Sequence, residues 1–139
     1  MKKSPATSFP NSKQAINNLL NEKMRLAVDW LTTSPQDSLA LVNELMVNNK
    51  DNILLLVIAG RAHQRLGQFF QAGECIDNAL KIDRTNVEAI YAKSDLLYRS
   101  DRLSEAEEYL TDAISRIDNS AARPLRLLHA TVLQKAKKY

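Results

Sequence analysis

The sequence predicts an all-α fold built from helix pairs, and three observations carry that prediction. Only 3 Gly and 4 Pro stand among 139 residues, too few for a β-rich chain, which needs turn residues about every 8–12 positions. Apolar residues recur at three- and four-residue intervals almost throughout, the spacing of one helix face. Two stretches, GQFFQAGECIDNALKID (67–83) and DRLSEAEEYLTDAISRID (101–118), repeat one sparse pattern: Ala72 returns as Ala106, Glu74 as Glu108 and Ala79 as Ala113, each 34 residues on.

Residues 1–12 hold Ser4, Pro5, Thr7, Ser8, Pro10 and Ser12 and read as a flexible arm. The first helix is expected from Lys13 to Leu31, with Met24, Ala27, Val28 and Leu31 on one face. It stops at TTSP, because Pro35 pushes Ser34 out of the helical region. The second is expected over 36–48, with Leu39, Val42, Leu45 and Met46 inward, and NNKDN breaks it. The third, over 53–66, ends at Gly67, a residue suited to a left-handed stop. The fourth covers 69–82; DRTN separates it from the fifth, over 87–99. The sixth covers 104–117, and DNSAAR leads to a seventh in which Pro124 fits the first turn. Such short loops make consecutive helices antiparallel neighbours.

The 34-residue pattern resembles the tetratricopeptide repeat (TPR) family. Residues 53–86 supply Leu56, Ala59, Gly60, His63, Ala72, Ile76 and Ala79; residues 87–120 supply Ile90, Ser94, Leu97, Ala106, Leu110 and Ala113. Met24, Ala27, Val28, Leu31, Ser38, Val42 and Leu45 give a degenerate earlier copy, about two residues short between its helices. The resemblance implies a right-handed α-α superhelix, with repeats over 19–52, 53–86 and 87–120 and a final helix over 122–139. The array as a whole spans 13–139. Arg84 stands where the family often has proline, and Lys93 replaces an apolar residue. The small residues have a physical reason: antiparallel helices approach to about 8–10 Å only where short side chains meet. Ile76 and Leu110 fill the space beside them.

Composition bounds the function. Net charge is +3, with basic residues at both ends and an acidic stretch over 101–118. Cys75 is the only cysteine, so no intramolecular disulfide forms. MKK is followed by no apolar run, and the longest apolar stretch, 53–59, is far below the roughly 20 residues of a membrane helix. A cytoplasmic protein without membrane contact is the expectation. No aromatic side chains interleave the C-terminal lysines, so nucleic acid is not expected. No phosphate loop, nucleophile elbow or metal-ligand spacing occurs, so catalytic residues, metals and cofactors are expected to be none. His63 and His129 are isolated; Cys75 reads as a packed thiol.

Recognition is the remaining chemistry. The resemblance places the second, fifth, ninth and twelfth positions of each repeat on a concave groove. These are Leu54, Val57, Arg61 and Gln64, then Glu88, Tyr91, Asp95 and Tyr98, then Leu127, Thr131 and Gln134. Val57, Arg61, Gln64, Tyr91, Asp95, Tyr98 and Thr131 are the expected contacts for a peptide or helix of a protein partner. Family members that clamp acidic chaperone tails carry Lys and Asn at the fifth and ninth positions. Here Val57, Arg61, Tyr91 and Asp95 stand there, and Asp95 is expected to repel such a tail. Two rival expectations stay open: an N-terminal scaffold of a larger enzyme such as a bacterial transferase, and a small bacterial secretion-type chaperone. A homo-oligomer is also left open.

Overall fold

A computed structural model describes residues 12–138, so the arm expected before Ser12, and Tyr139, lie outside it. It contains seven helices: α1 (Ser12–Thr33), α2 (Pro35–Met46), α3 (Ile53–Arg65), α4 (Phe69–Ile82), α5 (Val87–Arg99), α6 (Leu103–Ser115) and α7 (Arg123–Ala136). No strand occurs among the described residues. α2 and α6 end two residues earlier than their apolar periodicity predicts: the Val47 and Arg116 N–H groups bond back three residues, to the Glu44 and Ala113 carbonyls, which tightens the last turn. Pro35 does more than stop α1: it also occupies the first turn of α2, where its missing N–H leaves nothing unsatisfied.

Local chemistry sets the helix ends, and it repeats. The Asn52 side-chain oxygen accepts the Leu55 N–H at 3.0 Å, and 34 residues on Asn86 accepts the Ala89 N–H at 3.0 Å. Each such cap stabilises its helix by about 1 kcal/mol. At the other end, Gly67 adopts φ 78 and Asp101 adopts φ 60. In both turns the chain then closes back on the helix: Gln68 N–H donates to the His63 carbonyl at 2.8 Å, and Arg102 N–H to the Leu97 carbonyl at 2.9 Å. This six-to-one bond is the Schellman stop. Gly67 accepts the left-handed backbone freely; Asp101 does so at a conformational cost.

The helix pairs stack so that each interface continues the core. Leu55, Ile58 and Ala62 of α3 pack onto Met24, Ala27, Leu31 and Val42 of the preceding pair. Leu56 and Val57 pack onto Ala89 and Ala92 of α5 in the following pair, with Ile76 and Ala79 of α4. Ile90 and Leu97 join Leu110, Leu125, Leu128 and Val132 in the third cluster. Ala72, Ala79 and Ala106 are 0% exposed and Ala113 1%, as the close crossings require. At Gly60 an added Cβ would come 2.7 Å from Ile76 Cγ1 and 3.3 Å from the Ala72 carbonyl oxygen. Nothing larger than hydrogen fits there. Ser94, in the same place of the next repeat, is fully buried and donates its hydroxyl to the Ile90 carbonyl at 2.8 Å.

The first repeat departs from the expected face. Val28, expected inward, is 44% exposed. One residue, Ser34, links α1 to α2, whereas three residues link α3 to α4 and α5 to α6. The shorter link shifts the crossing to Ala27, which is fully buried, and Ser38 Oγ donates to the Ala27 carbonyl at 2.7 Å.

Candidate partner-binding surface

The first helices of the pairs, α3, α5 and α7, lie side by side, since α5 contacts both α3 and α7. Four of the expected contacts come together across the α3–α5 boundary. The Arg61 guanidinium carbon sits 5.6 Å from the centre of the Tyr91 ring, a cation–π distance. Gln64 Nε2 donates to Asp95 Oδ2 at 3.3 Å. These side chains line a pocket of about 330 Å³ together with Arg65 and Arg99. Arg99 Nε donates to both Asp95 carboxylate oxygens at 3.1 Å.

A second pocket, also about 330 Å³, is lined by Tyr98, Thr131, Gln134, Lys135 and Lys138. The Lys135 ammonium lies 4.5 Å from the Tyr98 ring centre and 3.0 Å from Asp101 Oδ1. Thr131 is exposed and donates its hydroxyl to the Leu127 carbonyl at 3.1 Å. The surface therefore pairs two tyrosines with cations along one row of helices.

Val57 is a correction. It is 2% exposed and belongs to the core with Ala89 and Ala92. Those two short side chains let α5 come close and cover it. Its counterpart Tyr91 is long enough to emerge half-buried. The Asp95 carboxylate, expected to repel an acidic tail, has cationic company. Asp95 is held by Arg99 and Gln64, and the lining of that pocket holds three arginines to this one carboxylate. The lining of this pocket thus carries a net positive charge. Arg65, Arg99 and Lys138 were not anticipated. Each stands four residues after an expected contact, Arg61, Asp95 or Gln134, so helical spacing carried the signal.

The remaining polar residues make structural contacts. His63 Nδ1 and Gln68 Oε1 share a hydrogen bond at 2.7 Å; His129 Nε2 lies 3.4 Å from Thr111 Oγ1. Burial first, and the neighbouring Glu74 carboxylate second, push the Cys75 thiol up from its ordinary range. A raised thiol is a poor nucleophile at neutral pH.

No family model and no curated protein matches the chain. Among solved structures, the chain is similar to the TPR2B-domain:pHsp70-complex of yeast Sti1, at 20% identity and a TM-score of 0.69, covering 84% of this chain and 98% of that one. With its 34-residue periodicity, its small residues at the crossings and this likeness, the chain has the all-α helical-repeat fold of a TPR domain.

Proposed function

We propose that the chain is a protein–protein interaction module that holds an acidic peptide segment along α3, α5 and α7. The observation that carries the reading is the α3–α5 pocket, whose lining holds Arg61, Arg65 and Arg99, one carboxylate already paired with Arg99, and the Tyr91 ring under Arg61. Guanidinium groups fork onto carboxylates, and tyrosine offers apolar area with a hydroxyl at low entropy cost. Gln64, Asp95, Tyr98 and Thr131 complete the surface: Asp95 orients Arg99, and Tyr98 with Thr131 frames the second pocket. The likeness to a TPR domain captured in complex with pHsp70 supports a protein partner in general terms.

The test is fluorescence anisotropy with paired peptide pools, acidic and basic, over a salt series. Acidic peptides are expected to bind, more weakly as salt rises, and Arg61→Glu combined with Arg65→Glu should abolish that binding at an unchanged melting temperature. Equal binding of the two pools, or binding that survives the double variant, defeats the reading.

A further inference from the structure

The pocket between α3 and α5 carries more positive charge than one carboxylate of a ligand can neutralise. Its lining is Arg61, Gln64, Arg65, Tyr91, Asp95 and Arg99, so three guanidinium groups against one carboxylate leave a charge of +2. An aspartate or glutamate of a bound peptide brings a single negative charge and leaves half of that standing. The hydrogen-bond donors are as much in excess. Arg99 uses only its Nε on Asp95, 3.1 Å from each carboxylate oxygen, and its two terminal nitrogens make no bond among the described residues. Arg61 lies over the Tyr91 ring; stacking covers one face of a guanidinium and leaves its in-plane N–H groups available. Arg65, one turn further along α3, is exposed and has no ion pair among the described residues.

We infer, as a refinement that rests on the acidic-peptide reading, that this pocket takes the phosphate monoester of a phosphorylated serine or threonine in the partner segment. Such a group carries about −1.5 to −2 at neutral pH and presents three strong acceptor oxygens. That charge matches the lining, and guanidinium forks meet phosphate oxygens in pairs. Asp95 then serves as a brace: its oxygens accept from Arg99, and Oδ2 accepts from Gln64 as well. The surrounding charges leave this match in place. α1, beyond α3, carries Glu22 and Asp29 against Lys23 and Arg25. Glu88 stands seven residues before Asp95 on α5, about 10 Å along the axis, a distance at which salt screens it. On the α7 side Asp101 pairs with Lys135, and Lys138 adds a positive charge. Tyr98, Thr131 and Gln134 continue the row beyond the pocket. Their hydroxyl and amide groups suit the backbone of an extended peptide, which neither a free phosphate ion nor a lipid headgroup supplies.

The test is fluorescence anisotropy of the full chain with one short labelled acidic peptide in three forms, carrying phosphoserine, glutamate or serine at its centre. At about pH 7.5 the phosphoserine form should bind about tenfold or more tighter than the glutamate form, and the serine form more weakly than either. Between about pH 7.5 and about pH 5.5 that preference should shrink roughly three- to fivefold, because the phosphate regains its second proton near pH 6 while the glutamate stays ionised. Protonation of the protein itself, at His63 of α3 for instance, acts on both forms alike, so the difference isolates the phosphate. Arg65→Gln removes one lining charge from an exposed position, so the fold is kept while the preference should fall below about threefold. Equal affinity of the phosphoserine and glutamate forms overturns this inference and leaves the acidic-peptide reading standing; failure of both forms to bind overturns both. A preference that survives Arg65→Gln overturns the inference too. So does complete displacement of the phosphoserine form by an equal concentration of inorganic phosphate or of phosphatidic acid in vesicles, which makes the pocket a site for the free ion or for a lipid surface.

Discussion

Gly60→Ser with and without Ile76→Leu tests how the helix crossings are built. Gly60 and Ser94 stand 34 residues apart, and so do their partners Ile76 and Leu110. The ethyl arm of Ile76 fills the space that a side chain at 60 would need: an added Cβ meets Cγ1 at 2.7 Å and Cδ1 at 3.2 Å. Leucine has a single γ carbon and can turn it away without swinging a second branch into the crossing, and Ser94 beside Leu110 is a serine fully buried at that place. Overpacking a close crossing costs about 1–3 kcal/mol, while leaving glycine inside a helix returns about 0.5 kcal/mol. Gly60→Ser alone should therefore destabilise the chain by about 1–2 kcal/mol, a fall in melting temperature of roughly 3–10 °C for a domain of this size. Gly60→Ser with Ile76→Leu should recover most of the loss, because it writes the third repeat's solution into the second. Urea unfolding of the wild type, both single variants and the double variant gives the coupling energy directly. A Gly60→Ser variant as stable as wild type, or a double variant no better than the sum of the singles, would refute the reasoning.

Three further outcomes follow from burial and backbone geometry. Ala72→Glu or Ala106→Glu puts a charge at a fully buried crossing, a loss of about 4 kcal/mol or more; far-UV circular dichroism should show an unfolded array, and an unchanged melt would mean the crossings lie elsewhere. Asp101→Gly should stabilise the chain by about 0.5–1 kcal/mol, because φ 60 suits glycine better; the exposed ion pair to Lys135 that it removes is worth less. Burial pushes the Tyr109 phenol up to about 12 from 10.0, so the folded state holds this proton more tightly than the unfolded one. That contribution is intact below pH 10 and is lost as pH rises from about 10 through 12. Urea midpoints should fall more steeply over that range for wild type than for Tyr109→Phe, and parallel curves would count against the buried phenol.

Most of the fold was legible because the crossings enforce a period. Ala72, Ala106, Ala79 and Ala113 could be located by their size and spacing alone, and Gly67 by the backbone that only glycine adopts freely. Asp101 in the same left-handed turn was not legible, since aspartate also serves in ordinary turns. Val28 was misplaced for a specific reason: a link shortened by two residues slides α1 along α2, and a periodicity read within one helix does not sense that slide. Among the expected contacts, Arg61, Gln64, Tyr91 and Asp95 do meet, because they project from neighbouring first helices. Val57 does not join them, since its exposure depends on how closely α5 approaches, which Ala89 and Ala92 decide from a different helix. Arg99 neutralises Asp95 from four residues along the same helix, a spacing within the sequence that the repeat positions alone do not mark.

Among the described residues, each helix touches only its near neighbours, and α1 and α2 share no contact with α5, α6 or α7. Mechanically, such an array is a short spring. No distant contact fixes its curvature, so a small tilt at the α3–α5 interface and another at α5–α7 add along the axis. The spacing between the Arg61–Tyr91 and Tyr98–Lys135 pockets is then an elastic quantity, set by the thin alanine contacts of α5. A ligand spanning both pockets would tension that spring, and a bulkier residue at Ala89 or Ala92 would change its rest length without touching the ligand.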